Sequence, residues 1–270
     1  MAVDRQFAIA GELLAGAEGD ARWNNLGYWR AGDDYTAACR ALARLHAEAI
    51  SLGANDRLLE LACGHGAALE LWRDEFSVTD CHALEVRNDC ISAIRRRDPA
   101  RADRVVQGRF DRPLPDTLPR DCDALICVDA VYHADSLDAF LKCAASVLKE
   151  NGRIAFTTLV AEQNSPVDPV TALLLNLAHI PPASRPTRPV LEQCLQARGF
   201  QNVAVTDISE PVLSGFASWV RQCHNRLTLM QRLRPEWLKI EMSARLCRRL
   251  IGSKSWNYVL VSARRYSEVP

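Results

Sequence analysis

The sequence predicts an α/β fold built on a doubly wound, mostly parallel sheet, and three observations lead to this prediction. Short apolar runs alternate with amphipathic segments along most of the chain. Residues 124–128 are apolar throughout, as a strand buried on both faces requires. The run 58–61 leads into a turn containing Gly64 and Gly66, and small residues in such a turn let a ligand approach the backbone.

The elements are predicted in chain order from the same pattern. Leu42, Leu45 and Ala49 share one face of a predicted helix, 37–52. Ser136 is a plausible cap for a helix over 136–149 that ends at Asn151. The predicted strands are 58–61, 79–84, 104–107, 123–128, 153–159, 202–208 and 256–263. The remaining predicted helices are 67–74, 88–97, 190–198 and 212–251, the last interrupted near Pro235. The proline-rich segment 112–119 is predicted to be a loop, and 161–189, with six prolines, a looser region.

Composition bounds the class of protein. The 270 residues are 48% hydrophobic and 24% charged, which predicts a globular, soluble chain. Lys+Arg and Asp+Glu both number 33, so no charge excess points to nucleic acid. No signal peptide or bilayer-spanning run is evident, so we expect a cytoplasmic protein with no membrane partner. The ten cysteines are scattered, which favours buried thiols and predicts no metal site.

The most informative segment is 58–66, followed nineteen residues later by Glu85. A strand, a small-residue turn, a helix, a second strand and an acid form the arrangement with which an α/β sheet binds an adenosine. The acid can accept hydrogen bonds from both ribose hydroxyls. The simpler alternative is a plain turn between a strand and a helix.

The type of adenosine is indicated by two features of the turn. Ala67, Ala68 and Leu69 follow Gly66, so the third glycine of a dinucleotide motif is missing. Glu60 would repel a phosphate but suits a cationic ligand. S-adenosyl-L-methionine carries a sulfonium and an ammonium group, and therefore fits better than NAD.

Taken together, these residues resemble those of class I S-adenosylmethionine-dependent methyltransferases, most closely the small-molecule group that includes ubiquinone- and menaquinone-biosynthesis-like and natural-product tailoring enzymes. Leu58-Leu-Glu-Leu-Ala-Cys-Gly-His-Gly66 resembles the first motif of the family, with Ala62 in place of the first glycine. Residues 107–110, 123–133 and 148–159 resemble later motifs, and Asn25-Leu-Gly-Tyr-Trp29 resembles an N-terminal one. The resemblance implies a seven-stranded Rossmann-like methyltransferase fold with N-terminal helices and a helical lid insertion.

The resemblance also implies a division of the chain and a set of cofactor-binding residues. It implies an N-terminal helical cap at 1–55, a core at 56–211 and 254–266, and a lid insertion at 212–253. Arg109 stands where the family has an aspartate that contacts adenine, so Asp111 or the backbone would have to replace that contact. The residues implied to bind the cofactor are Tyr28, Glu60, Ala62, Cys63, Gly64, Gly66, Glu85, Val86, Arg109, Phe110 and Asp129.

His133 is the candidate general base, because a histidine titrates near neutral pH and this one follows the fourth strand. A structural or substrate-contacting role for His133 is the alternative. O-methylation is favoured, with nitrogen or carbon as the other possible acceptor atoms. Asp129 either holds the ammonium group of the cofactor or caps the turn.

Acceptor choice is expected to depend on the lid insertion and on the N-terminal motif. Trp29, Phe216, Trp219 and Trp237 are the predicted lid residues, which favours a hydrophobic or aromatic small molecule. The same residues could instead form a homodimer interface or take part in ordinary helix packing. Two further hypotheses stay open: a protein-directed methyltransferase, and a catalytically silent scaffold with this fold, which Ala62 and Arg109 would explain.

Overall fold

The computed structural model describes residues 9–16, 19–162 and 167–266. Seven strands form one sheet in the order β3-β2-β1-β4-β5-β7-β6. All neighbouring pairs are parallel except that β7 runs antiparallel to both β5 and β6. The predicted seven-stranded, mostly parallel sheet is confirmed. The strands are Arg57–Leu61 (β1), Asp80–Glu85 (β2), Val105–Gln107 (β3), Cys122–Cys127 (β4), Leu148–Ala161 (β5), Phe200–Asp207 (β6) and Trp256–Arg265 (β7).

Helices cover both faces of the sheet, because neighbouring residues of a buried strand point to opposite faces. Leu58 joins a core with helices near the N-terminus and in the lid, whereas Leu59 joins a second core on the other face. The helices are Gly11–Ala15 (α1), Tyr35–Ala49 (α2), Ala67–Phe76 (α3), Asn88–Arg97 (α4), Leu137–Val147 (α5), Pro169–Leu177 (α6), Arg188–Ala197 (α7), Gly215–Arg226 (α8), Leu229–Arg232 (α9) and Pro235–Ser253 (α10).

The segment 161–189 is not irregular throughout, although its six prolines predict a looser region. It contains α6, which begins at Pro169, where the missing N–H of proline costs no hydrogen bond. The Asp168 side chain accepts hydrogen bonds from the amides of Val170 and Thr171 at the same end. The proline therefore starts a helix here, and the end of this helix reaches the functional cavity.

The junction between α5 and β5 also differs from the prediction. Ser136 caps α5 as expected, by accepting from the Ala139 amide. The helix ends at Val147, however, and β5 begins at once with Leu148. Asn151 lies inside that strand and has a left-handed φ of 61°. This residue therefore forms a local irregularity near the start of β5 and does not end the helix.

The predicted cap and lid correspond to separate sets of helices, but the division of the chain into these parts stays a prediction. The described part of the cap holds α1 and α2, while residues 1–8 lie outside the described residues. The lid insertion holds α8 to α10, which follow a short π-helical segment, Glu210–Ser214. Among the described helices, none combines the length and the apolar character needed to cross a bilayer.

Candidate cofactor and acceptor site

The carboxyl ends of β1, β2 and β4 open into one cavity of about 180 Å³. One wall consists of the turns that follow these strands. The other wall comes from α10 and from the segment at the end of α6, including Leu177 and Ile180. The cavity therefore lies where a doubly wound sheet places its ligands.

The small-residue turn after β1 shapes the first wall through its backbone. Ala62, Gly64 and Gly66 all have left-handed φ values, of 59°, 56° and 73°. Ala62 and Gly64 line the cavity, and the side chain of Asn24 packs against Gly64. A side chain on Gly64 would meet Asn24 at 2.9 Å, so the close approach of this turn depends on glycine.

Glu85 ends β2 with its carboxylate at this turn. It is 4% exposed and lines the cavity. Its Oε2 accepts from the Gly64 amide at 2.8 Å, and its Oε1 accepts from the amides of Val86 and Arg87, both at 3.0 Å. These amides hold a carboxylate at the position where the sequence predicts ribose hydroxyls.

Asp129, with φ 54°, follows β4 and lines the same cavity. Its carboxylate accepts from the Tyr132 hydroxyl at 2.6 Å, from the Tyr258 hydroxyl at 2.5 Å and from the Leu26 amide at 2.6 Å. Burial raises the pKa of Asp129 to about 6, although these donors favour the charged form. Both predicted roles are compatible with this geometry, because the side chain anchors the N-terminal segment and presents negative charge to the cavity.

The turn after β3 places Arg109, Phe110 and Asp111 along the cavity. The Arg109 guanidinium donates to both carboxylate oxygens of Asp111, at 2.8 and 2.5 Å, and to Asp135 at 3.0 Å. Burial alone would raise the pKa of Asp111, but Arg109 and the Asp135 amide hold that pKa below its usual range. The arginine that replaces the expected aspartate is therefore balanced by two nearby acids.

His133 lies at the end of a short 3₁₀ helix after β4 and lines the cavity. Its Nδ1 lies 3.1 Å from the His179 carbonyl oxygen, which can only accept, so Nδ1 carries the hydrogen. Enclosure in the cavity wall lowers the pKa of His133 to about 4. The imidazole is therefore uncharged at neutral pH.

Three predicted cofactor contacts in the first motif lie behind the cavity wall. Glu60 is 3% exposed, and its carboxyl group accepts a hydrogen bond from Trp72 Nε1 at 2.7 Å. Burial raises the pKa of Glu60 to about 8, which favours the protonated form at neutral pH. A protonated Glu60 offers no negative charge to a ligand. Cys63 is buried, and burial raises the pKa of its thiol. Gly66 begins α3 and packs near Ile94. These residues support the turn and do not line the cavity.

The predicted aromatic lid is corrected by the structure. Trp29 packs against Trp219, with ring centroids 5.2 Å apart, and Trp219 Nε1 donates to the Leu14 carbonyl at 3.0 Å. Phe216 and Trp237 are fully buried among lid helices. These four residues, together with Tyr28, join the lid to the N-terminal segment or fill its interior, and none lines the cavity.

The lid contacts the cavity through another set of residues, which sequence reasoning missed. Lys239, Met242, Ser243, Leu246, Cys247 and Leu250 all line it from α10. Their spacing of three and four residues is that of one helix face, a signal present in the sequence but less conspicuous than the tryptophans. Arg87, Asn24 and Tyr258 line the cavity as well. They were missed because only the fold brings them to the strand ends.

The wall formed by Gly64, Glu85 and Phe110 fits S-adenosyl-L-methionine. The buried Glu85 carboxylate can accept from ribose hydroxyls, and Phe110 offers an aromatic surface beside the turn. Asp129 supplies the negative charge that a cationic amino acid group needs.

One group of potential metal ligands was not evident from the sequence. In the described part of the chain, His65, Asp89 and Cys90 place their ligand atoms within 4.8 Å of one another. Burial raises the pKa of the Cys90 thiol to about 12, which disfavours the thiolate that binds metals. The absence of a metal site stays a prediction.

Comparison with known proteins gives similarities to solved structures over nearly the whole chain. The cyclopropane synthase MmaA2 from Mycobacterium tuberculosis superposes with a TM-score of 0.75 at 14% identity, covering 98% of this chain and 95% of that one. The [4+2]-cyclase SpnF superposes with a TM-score of 0.71 at 20% identity, with the same coverage of both chains. At these identities the similarity establishes the fold.

Sequence similarity is more local. A fatty-acid O-methyltransferase from Mycolicibacterium smegmatis is 31% identical over 102 residues, which are 37% of this chain and 36% of the relative. The aligned region thus spans about a third of that protein. A family model described as a methyltransferase domain matches residues 28–205, which include the turn after β1, Glu85 and His133. The chain therefore belongs to the methyltransferase-domain family, whose cofactor is S-adenosyl-L-methionine.

Proposed function

We propose that this protein transfers the methyl group of S-adenosyl-L-methionine to an oxygen atom of a small, largely apolar acceptor. The observation that carries this proposal is the composition of the cavity. Its sheet side holds Glu85 and Asp129, whereas its α10 side presents Met242, Leu246 and Leu250. A polar cofactor and an apolar acceptor can therefore meet in one enclosed space.

When bound, the cofactor supplies a methyl group already activated by its sulfonium charge. The protein then has to align the acceptor and exclude water, and orientation of this kind is worth several kcal/mol, about 7–11 kcal/mol in favourable model reactions. The turn at Gly64 and the carboxylates of Glu85 and Asp129 would hold the cofactor. The apolar face of α10 would hold the acceptor.

His133 is proposed to contact the acceptor oxygen. Its Nδ1 is oriented by the His179 carbonyl, so Nε2 is the ring atom suited to accept a proton. With a pKa of about 4 the ring is a weak base. It would suit an acidic acceptor such as a phenol or a carboxylic acid better than an aliphatic alcohol.

The partial similarity to a fatty-acid O-methyltransferase favours oxygen over nitrogen or carbon. The same fold also occurs in the cyclase SpnF, so the fold alone does not select the reaction. A protein-directed methyltransferase and a silent scaffold stay the alternatives. A protein acceptor is less compatible with a cavity closed by α10 and the α6 end.

The proposal is tested first by calorimetry with S-adenosylmethionine, its demethylated product S-adenosylhomocysteine, and NAD as a control. We expect the two sulfur compounds to bind and NAD not to bind. Glu85→Gln should weaken their binding at least about tenfold, since a charge-assisted hydrogen bond contributes about 1.5–3 kcal/mol. Glu192→Gln, on the exposed face of α7, is the matched control.

Turnover is then measured as transfer of labelled methyl to a panel of apolar carboxylic acids, phenols and amines. Labelled ester or ether product would support the proposal. Binding of the cofactor without transfer to any oxygen acceptor would contradict it, as would labelled amine products alone. Failure of both sulfur compounds to bind would favour the scaffold hypothesis.

A further inference from the structure

Two cationic side chains line the cavity beside the proposed cofactor wall. Arg87 follows β2 and directly precedes α4, and Lys239 projects from α10 of the lid. Arg87 and Lys239 are 152 residues apart in the sequence (239 minus 87). Arg87 anchors Glu85, but neither side chain was predicted to bind a ligand, so their convergence at one cavity requires an explanation.

Arg87 is the more deeply buried of the two. It is 3% exposed, and its Nε lies 3.3 Å from Glu85 Oε1. Its Nη1 is fully buried and has no hydrogen-bond partner within the protein. A buried guanidinium nitrogen without an acceptor is unfavourable, because it has lost its water and gained nothing in return. Because Arg87 lines the cavity, a small movement of its side chain would bring this nitrogen to a ligand oxygen.

Lys239 lies near both Arg87 and His133. Burial, and then the charge of Arg87, lower the pKa of Lys239. Burial is also the main cause of the low pKa of His133, and Lys239 adds to it. Two cationic side chains in the lining of one cavity favour an anionic ligand there. Arg109, the other arginine at this cavity, is already paired with Asp111 and Asp135.

The cavity continues from this cationic end along an apolar helix face. From Lys239 the face proceeds through Met242, Leu246 and Leu250, and the eleven residue steps from Lys239 to Leu250 rise about 16 Å along an α-helix. Leu159 adds to the same lining. The α10 side of the cavity thus has a cationic residue at one end and an apolar face along the rest of its length.

We propose that Arg87 and Lys239 bind the carboxylate of the acceptor, which is therefore an amphiphile with an anionic head and a hydrocarbon tail. This inference rests on the proposed function, because it names the acceptor class of the same site. One carboxylate oxygen accepts from Arg87 and Lys239. The tail lies along the α10 face.

Such an acceptor simplifies the chemistry. A carboxylate oxygen forms a bond to the methyl carbon, the bond between carbon and sulfur breaks, and its electron pair stays on sulfur. The products are a neutral methyl ester and a neutral thioether, and no proton moves. A strong base is then unnecessary, in agreement with the weak basicity of His133. The ester has no charge for Arg87 and Lys239 to hold, which favours its release.

The competing occupant of Arg87 and Lys239 is the carboxylate of the cofactor itself. The two sources are distinguished by measuring S-adenosylhomocysteine binding and acceptor binding separately in each variant. Lys239→Met is the principal variant, since Lys239 is only half-buried. Arg87→Gln is the second. Arg245→Met is the matched control, because it removes a positive charge from the exposed side of the same helix.

Binding of dodecanoate, dodecanol and dodecylamine is measured by calorimetry, with and without saturating S-adenosylhomocysteine. We expect the wild-type protein to bind dodecanoate at least about tenfold more tightly than the uncharged dodecanol or the cationic dodecylamine. Lys239→Met and Arg87→Gln should each lose about tenfold to hundredfold affinity for dodecanoate and keep their affinity for dodecanol, and Lys239→Met should also keep its affinity for S-adenosylhomocysteine. Arg245→Met should behave as wild type.

Equal binding of dodecanol and dodecanoate by the wild-type protein would overturn the inference. So would an unchanged dodecanoate affinity in Lys239→Met, which decides the matter even if Arg87→Gln does not fold. Loss of S-adenosylhomocysteine affinity with unchanged dodecanoate affinity would assign the two cations to the cofactor. Failure of the wild-type protein to bind S-adenosylhomocysteine would count against the proposed function only, because probe selectivity is also measured without it.

Discussion

Ala62 occupies a backbone position that favours glycine. Its φ of 59° is left-handed, a conformation that costs a residue with a Cβ about 1–2 kcal/mol. The residue nevertheless lines the cavity in the turn that the family model matches. Alanine at this position therefore adopts the shape of the turn at the expense of stability.

We expect Ala62→Gly to raise the free energy of unfolding by up to about 1 kcal/mol, since relief of strain exceeds the added chain entropy of glycine. Urea denaturation measures this change. Ala68→Gly, within α3, is the matched control and should lower stability by about 1 kcal/mol or more. A loss of stability in Ala62→Gly would mean that the methyl group packs more favourably than the strain costs.

Asp129 leads to a prediction about pH. Its pKa is raised from 3.8 to about 6, so the folded protein binds this proton more tightly than the unfolded chain does. The stabilising effect of protonation is complete below about pH 4 and is lost as the pH rises through about 6. If the ionised carboxylate holds the cofactor ammonium, affinity should fall about tenfold per pH unit below about pH 6.

Cofactor affinity measured between about pH 5 and pH 7 checks this prediction. Tyr258→Phe removes a donor to the carboxylate and should shift the midpoint upward. Tyr266→Phe, whose hydroxyl only accepts from Asn202 on the surface, should leave it unchanged. An affinity independent of pH in this range would show that Asp129 only caps the turn.

At the scale of elements, the lid is joined to the N-terminal segment by close packing around one glycine. A Cβ on Gly215, at the start of α8, would lie 2.3–2.5 Å from side-chain atoms of Trp29. Trp29 in turn packs on Trp219, and its amide donates to the Pro211 carbonyl at 3.0 Å. Trp29 and Trp219 thus hold the lid in position, while α10 supplies the lid residues that line the cavity.

We expect Gly215→Ala to destabilise the protein by about 1–3 kcal/mol, because overpacking would displace Trp29. Thermal unfolding followed by tryptophan fluorescence measures both effects. Gly252→Ala, near the end of α10, has nothing within 4 Å of the added carbon and should be neutral or slightly stabilising. An unaltered unfolding temperature in Gly215→Ala would contradict the proposed anchoring of the lid.

At the scale of the whole molecule, the N-terminal segment, the strand ends and the lid close one cavity. Leu26 and Asp129 connect the first two, and Trp219 connects the lid to Leu14. Ligand binding should therefore protect segments distant in sequence. We expect S-adenosylhomocysteine to slow amide hydrogen exchange at 24–28, 62–66 and 85–87, and a further apolar carboxylate to slow it in α10. Protection confined to the strand ends would mean that the lid does not close on the acceptor.

Much of the fold follows from local patterns. Asn88–Arg97 matches its predicted helix because Asp98 and Pro99 end it clearly, and the seven strands follow from short apolar runs. The helix α6 was missed because proline starts a helix as well as interrupting one. The homodimer, the cytoplasmic location and the domain boundaries stay predictions.

By itself, the sequence determined the sheet, the small-residue turn at Gly64 and the acid at Glu85, because strand periodicity, glycine and a spaced carboxylate are local signals. Only the tertiary structure decided which side chains face the cavity. It turned Trp219 toward the N-terminal segment and placed Lys239 and Arg87 in the lining of one cavity. The physical reason is that a helix orients itself so that its largest apolar side chains are buried against the rest of the protein. A different face of the same helix is then left to line the cavity and contact the ligand.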